Sequence, residues 1–208
     1  MAVSSSSPAV AARCAHAKAG VGVVASQNIT DPRLGPKTLL AMAEGHSAPE
    51  AVKMIINAAE NADFRQVLAV DVTGNTAIYS GSKSLDIHAD FASQNAAAAG
   101  NLLANPNIPK VMVTAFHQGT GHLGDRLIDA MRVALALGGE AGALRSAGLL
   151  LVGEQEWPIA DLRCDWTEDC PIEAVAAAWH IYKPQIDDYV TRALDPAKAP
   201  GYGVPGDE

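Results

Sequence analysis

The sequence predicts an α+β domain in which antiparallel sheets carry their helices on the outside. Candidate strands follow one another in hairpin-like groups and candidate helices arrive in pairs, whereas a doubly wound parallel sheet would interleave the two. The chain has 208 residues, 49% of them hydrophobic and 18% charged. At this length roughly 70% of the unfolded chain's surface is buried on folding, enough for one self-sufficient core. No repeat and no shift in composition divides it, so residues 1–208 read as a single domain.

The elements follow in order. Gly20-Val-Gly-Val-Val-Ala-Ser26 is a short β-branched run and reads as a strand. Pro36 suits the first turn of a helix and Gly45 its end. Ser47-Ala-Pro-Glu50 is a capping box, and Val52, Ile55, Ile56 and Ala59 recur on one face of the helix it opens. Gln66 to Val72 and Thr76 to Tyr79, separated by Thr73-Gly74-Asn75, form a hairpin. A longer helix from Leu123 carries Leu127, Met131, Ala134 and Leu135 at helical spacing until Gly138-Gly139 stops it. Ala147 to Val152 is continuously apolar, hence a buried strand. Ile159 to Trp166 alternates, with Ala160, Leu162, Cys164 and Trp166 inward and Asp161, Arg163 and Asp165 on a solvated face. Pro171 opens a last helix carrying Ile172, Val175, Trp179 and Tyr182, which Pro184 ends or kinks. From Asp195 to Glu208 Pro and Gly dominate, which predicts an irregular surface tail.

Charge narrows the function. With 23 acidic against 15 basic residues, a net charge of −8 and no Lys/Arg cluster, nucleic acid is not an expected partner, because neutralising phosphates needs grouped cations. Apolar runs fall far short of the roughly 20 residues of a membrane helix, so no membrane partner is expected. Met1 to Val10 lacks the basic start and apolar core of a secretory signal, which predicts a cytoplasmic chain with Cys14, Cys164 and Cys170 as reduced thiols. The low charge fraction predicts a homo-oligomer. No cofactor is expected. Gly138-Gly-Glu-Ala-Gly142 lacks the Lys-Ser/Thr ending of a phosphate loop and follows a helix, not a strand. Cys164 and Cys170 lack a second zinc-ligating pair, and His117 and His122 share no helical face and have no third ligand, so no metal is expected.

Several dispersed motifs share an order and spacing: Gly20 to Gln27, Asp31-Pro-Arg-Leu-Gly-Pro36, Arg65-Gln66, Gly81, His88, Gly100-Asn-Leu-Leu-Ala104, Arg145-Ser-Ala-Gly148, Tyr189 to Pro196 and Tyr202 to Glu208. In these the chain resembles the Ntn-hydrolase-like family known as domain of unknown function 1028. The resemblance implies a four-layer α-β-β-α sandwich of two antiparallel sheets, as in the N-terminal-nucleophile hydrolases. Such enzymes attack an amide with a Ser, Thr or Cys at the chain start, whose own α-amine is the base. Measured against a typical member, this chain starts at the second strand, with roughly fifteen residues, one strand and a turn, missing ahead of it. Met1 and Ala2 offer no nucleophile.

Polar residues in apolar, Gly-rich surroundings are the site candidates. Ser26, Gln27, Asn28 and Thr30 close the first full strand, and the amides of Gln27 and Asn28 suit an oxyanion or orienting role; the other reading is a simple Asx turn at Asp31-Pro32. Arg65 either clamps a substrate carboxylate or pairs with Glu60 or Asp63. His88, between Asp86 and Asp90, is the candidate general base, although a lone His also serves structurally. Asn101 either bonds a substrate or caps Leu102 to Ala104. Glu140, Arg145 and Ser146 bind substrate or seal the start of the strand at Ala147. The assignment is therefore His88, Gln27 and Asn101 as catalytic, with Ser26, Asn28, Thr30, Arg65, Glu140, Arg145 and Ser146 as substrate-binding. The expected activity is hydrolysis of a carbon–nitrogen bond in a small molecule, by an amidohydrolase or deaminase acting in the catabolism of a nitrogen compound. The alternative is a non-catalytic ligand-binding or scaffold protein on a hydrolase-like fold.

Overall fold

The computed structural model describes residues 1–204. In chain order its elements are β1 (Ala2–Ser5), α1 (Val10–Cys14), β2 (Ala15–Lys18), β3 (Gly22–Gln27), α2 (Leu34–Ala43), α3 (Ala48–Ala58), β4 (Gln66–Asp71), β5 (Thr76–Ser80), β6 (Ala89–Ser93), β7 (Ala96–Gly100), α4 (Ile108–Gln118), α5 (Leu123–Ala136), β8 (Ser146–Val152), β9 (Pro158–Cys164), α6 (Pro171–Tyr182) and α7 (Ile186–Leu194). The described strands pair antiparallel throughout, in sheets ordered β1-β8-β9, β2-β3-β4-β5 and β6-β7. The antiparallel α+β reading therefore holds. The strands fall into three sheets, however, where two were expected.

Alternation decides what each sheet buries. In β3 and β4, Val24, Val67 and Ala69 turn toward α2 and α3 and pack with Leu39, Met42, Ala51, Val52 and Ile56. Their neighbours Val23, Ala25, Leu68 and Val70 line a cavity on the other side. In β8 and β9, Ala147, Leu149, Leu151 and Ala160 pack against Ile128 and Met131 of α5 and Ile172, Val175 and Trp179 of α6. Each of these two sheets thus has a core of its own beneath a helix pair. The β6-β7 hairpin lies under α4, with Ala96 and Ala98 against Val113 and Phe116.

Local chemistry closes the elements where the sequence placed them. Ser47 and Glu50 form the capping box, with both the Ser47 N–H and its hydroxyl donating to Glu50 Oε2, at 2.9 and 2.7 Å. Gly138 and Gly139, at φ of 105° and 59°, end α5 in a conformation costly for residues with a Cβ. Asp71 ties the β4-β5 turn to α3: its carboxylate accepts from the N–H groups of Ala48, Thr73 and Asn75, from the Thr73 hydroxyl and from the Asn75 amide.

Two local expectations are corrected. Strand β9 ends at Cys164 and Trp166 is 53% exposed, not inward-facing. The chain leaves the sheet there because Thr167 N–H donates to Arg145 O, and the Arg145 guanidinium lies over the Trp166 ring at 5.6 Å. The helix opened by Pro171 is not the last, since a 3₁₀ turn at Lys183–Gln185 carries the chain past Pro184 into α7. The expected tail holds one 3₁₀ turn, Pro196–Lys198, and its residues 205–208 lie outside the described residues. No described helix is long and apolar enough to cross a membrane.

Candidate functional site

A cavity of about 510 Å³ is enclosed by β1, the inner faces of β3 and β4, β7, and the facing sides of α4 and α5. Its walls are mostly Ala, Val, Leu, Ile, Met and Phe side chains, and its polar groups come from a few short segments, chiefly Ser4 to Ser7, Gln27 to Thr30, Asn101 and Glu140. This size and character suit a small molecule with an apolar body.

Of the residues singled out from the sequence, Gln27, Asn28, Thr30, Asn101 and Glu140 line this cavity. Gln27 is bound up in the fold. Its amide donates to Gln66 Oε1 at 2.6 Å and to Ala99 O at 3.1 Å; the Gln66 amide donates to Ser80 Oγ at 2.9 Å, and Ser80 Oγ to Asp90 Oδ2 at 2.6 Å. That relay holds the β6-β7 hairpin against the four-stranded sheet. Asn28, with φ of 58°, pins two loops by donating to Phe64 O at 2.6 Å and accepting from Leu85 N–H at 3.1 Å. Ile29 follows at φ 51°, costly for a β-branched residue, and Leu102 stands at φ 54°. Thr30 Oγ1 lies 3.4 Å from Cys14 Sγ, a thiol that burial pushes up. Asn101 differs from the rest, because its side chain has no hydrogen-bond partner among the described residues.

The other candidates stand away from the cavity lining. Ser26 is fully buried on the opposite face of β3 and donates to Asp31 O at 3.1 Å. Arg65 pairs with neither Glu60 nor Asp63, and its buried Nε and Nη1 have no partner among the described residues. Arg145 reaches the main chain at Thr167 and Glu168 and the Glu168 carboxylate, while Ser146 Oγ donates to Ser7 O at 2.6 Å and accepts from Val10 N–H at 3.1 Å. Those contacts seal the start of β8. His88 is exposed, with Nδ1 3.1 Å from Asp86 O, because the left-handed residue Asp86 turns the chain just before β6 begins. The Asp90 carboxylate, one of the two that flank His88 in sequence, accepts from Ser80. His117 lies 2.8 Å from Ser93 Oγ, and His122 caps α5 by accepting from Gly124 N–H at 3.1 Å. The two imidazoles thus serve separate structures, and no described group of three His, Cys, Asp or Glu residues is placed to hold a metal.

Glu140 brings into the site a residue that sequence reasoning missed. Ser6 N–H donates to its Oε2 at 2.6 Å and Ser6 Oγ to its Oε1 at 3.0 Å. Burial pushes the Glu140 carboxyl above its ordinary range, against the pull of those two bonds. On either side of Ser6 the turn is locked. Ser7 N–H donates to Ser5 Oγ at 3.1 Å, and Arg13 Nη2 donates to Ser7 Oγ at 2.9 Å.

Over residues 1–175 the chain matches the model of a family of unknown function, DUF1028. It belongs to that family. A crystal structure of another DUF1028 protein, SPO2555 from Silicibacter pomeroyi, is similar to it at a TM-score of 0.79 and 27% identity, covering 88% of this chain and 81% of that one. No curated protein matches the chain. In this DUF1028 fold, four of the motifs behind the resemblance fall at β3, at the end of β7 and at the starts of β4 and β8, while Gly81 follows β5, His88 precedes β6 and Tyr189 to Pro196 runs from α7 into the next turn. The available signal for Ser6 was the run of four hydroxyls, Ser4 to Ser7, ahead of Pro8.

Proposed function

We propose that this chain binds a small, largely apolar molecule in the cavity and hydrolyses a carbon–nitrogen bond in it, as an amidohydrolase or deaminase. The cavity carries the reading: about 510 Å³ of mainly apolar wall that includes an unengaged amide, Asn101, and a hydroxyl–carboxylate pair, Ser6 and Glu140. Backbone strain at Ile29 and Leu102, both on the lining, supports it, because such conformations concentrate where a site must be held open. We take the two helix-backed sheets as the halves of an α-β-β-α sandwich of the N-terminal-nucleophile type. We place the protein in the cytoplasm as a homo-oligomer, the latter on the low charge fraction of its sequence.

The test is incubation of the purified chain with a panel of small amides and enamine-type amines, with ammonia or amine release as readout. Release from apolar members of the panel is the expected result. A second reading, a binding protein without turnover, is favoured by the engagement of the Gln27 and Asn28 amides within the fold. Saturable binding of panel members with none of them cleaved would select it.

A further inference from the structure

We infer that Ser6 is a nucleophile activated by Glu140, with the Asn101 amide as the donor to the developing oxyanion. The inference rests on the hydrolytic reading above and names its working atoms. Both Ser6 and Glu140 line the cavity, and the hydroxyl proton already points at a carboxylate oxygen, Oγ to Oε1 at 3.0 Å. The second carboxylate oxygen is held by the serine's own N–H at 2.6 Å, which fixes the plane of the base relative to the nucleophile. The turn bonds of Ser5, Ser7 and Arg13 leave Ser6 little freedom to rotate away. Glu140 itself pairs with Leu103 across an isolated bridge, and that strand-like segment is the one that presents Asn101.

A turn-closing pin is the competing account of the same two bonds. Three observations exceed what a pin requires: the pair faces a cavity, its carboxylate is buried enough that its proton affinity rises despite the two bonds it accepts, and an amide with no protein partner lines the same space. Another serine–base pair, Ser93 with His117, does not line the cavity. In the reaction, Ser6 Oγ forms a bond to the carbonyl carbon as its proton passes to Glu140, and the carbonyl electron pair moves to oxygen opposite Asn101. Glu140 returns the proton to the nitrogen as the C–N bond breaks, which releases an amine and leaves an ester on Ser6. Water then adds to that ester while Glu140 takes its proton. Collapse expels Ser6 Oγ, which recovers the proton, and frees a carboxylic acid.

The test is reaction of the full chain with an alkyl fluorophosphonate, which phosphonylates activated serines, followed by peptide mapping. The expected result is one adduct, on Ser6, absent in Ser6→Ala. Its rate should fall by about 10²-fold or more in Glu140→Gln, which preserves the acceptor for the Ser6 N–H but removes the base. Asn101→Ala, which loses no protein hydrogen bond, should slow it by about 10²-fold with an unchanged melting temperature. Labelling that misses Ser6, or a rate indifferent to both Glu140→Gln and Asn101→Ala, overturns the inference. Binding of a fluorescent apolar probe, measured in parallel and blocked by Ala97→Phe, reads the cavity separately. Probe binding without a Ser6 adduct sinks this chemistry alone, and loss of probe binding in the native chain sinks the functional reading beneath it.

Discussion

Asp71 and Glu140 are both partly buried carboxylates that accept backbone N–H groups, yet they are driven in opposite directions. Burial raises Asp71, but five donors on Ala48, Thr73 and Asn75 outweigh it and hold the group at about 2. Burial also raises Glu140, and its two bonds, both from Ser6, do not bring it back. The lesson concerns unused capacity. A carboxylate saturated by donors is a fastener, whereas one buried with too few donors remains available to take a proton. The amides divide the same way, since Gln27 is tied into the fold and Asn101 has no partner among the described residues.

The largest expected effect separates the two regions outright. Ser6→Ala should lower amide turnover by about 10³-fold or more while moving the melting temperature by only a few degrees, the loss of one partly buried hydroxyl contact. A melting temperature that collapses along with activity would make Ser6 a fastener too. Next comes Gln66→Ala in the relay. Gln66 is fully buried, and its loss leaves a cavity and takes one partner each from Gln27 and Ser80, so chemical denaturation should show about 2–3 kcal/mol less stability, with the Ser6 labelling rate of the folded protein unchanged.

Asp71 and Glu140 also predict opposite pH dependences. The stability Asp71 supplies is fully present above its unfolded value of 3.8 and is lost as pH falls through about 2, because over that window the unfolded chain binds the proton and the folded one does not. Allowing for partial exposure this amounts to about 1–2 kcal/mol, and Asp71→Asn should remove it from acid-denaturation curves. Asp31, pulled down to about 2 by its bonds to Arg33, adds to the same acid limb. Glu140 has the reverse sign: its stabilisation is present below the ordinary carboxylate range and is lost as pH rises through its elevated folded value. The smallest effect belongs to Ile29→Asn, which relieves a β-branched residue from the left-handed region at an exposed position and should raise stability by about 0.5–1 kcal/mol. A decrease would mean that the Ile29 side chain packs usefully on the cavity lining.

What the sequence made legible follows from how local each signal is. The Ser47 capping box, the Thr73-Gly74-Asn75 turn, the glycine stop at Gly138 and the apolar run of β8 are written in neighbouring residues, and the structure shows each. Strand β7 was missed because Ala96-Ala-Ala-Ala99 has helical propensity and becomes a strand only by pairing with β6 and packing under α4. The serine turn hid for a similar reason. Ser6 and Glu140 lie 134 positions apart, and nothing local to either discloses the partner. Gln27 and Asn101 were chosen by residue type and both reach the cavity, but which of the two keeps a free amide depends on Gln66 and Ala99, a question only the folded chain answers.

The claim at the centre of the account is that the cavity holds the molecule whose bond is broken. Ala97→Phe fills part of that space from the half-buried β7 position 97, four residues ahead of Asn101 and far in sequence from Ser6 and Glu140. Amine release from the amide panel, measured side by side for the native and Ala97→Phe chains at matched folded concentration, reads the claim directly. The account predicts release by the native chain and at least about 100-fold less by Ala97→Phe, the loss expected when a substrate no longer fits its near-attack position. Equal release by both chains would contradict it and place the chemistry elsewhere on the molecule.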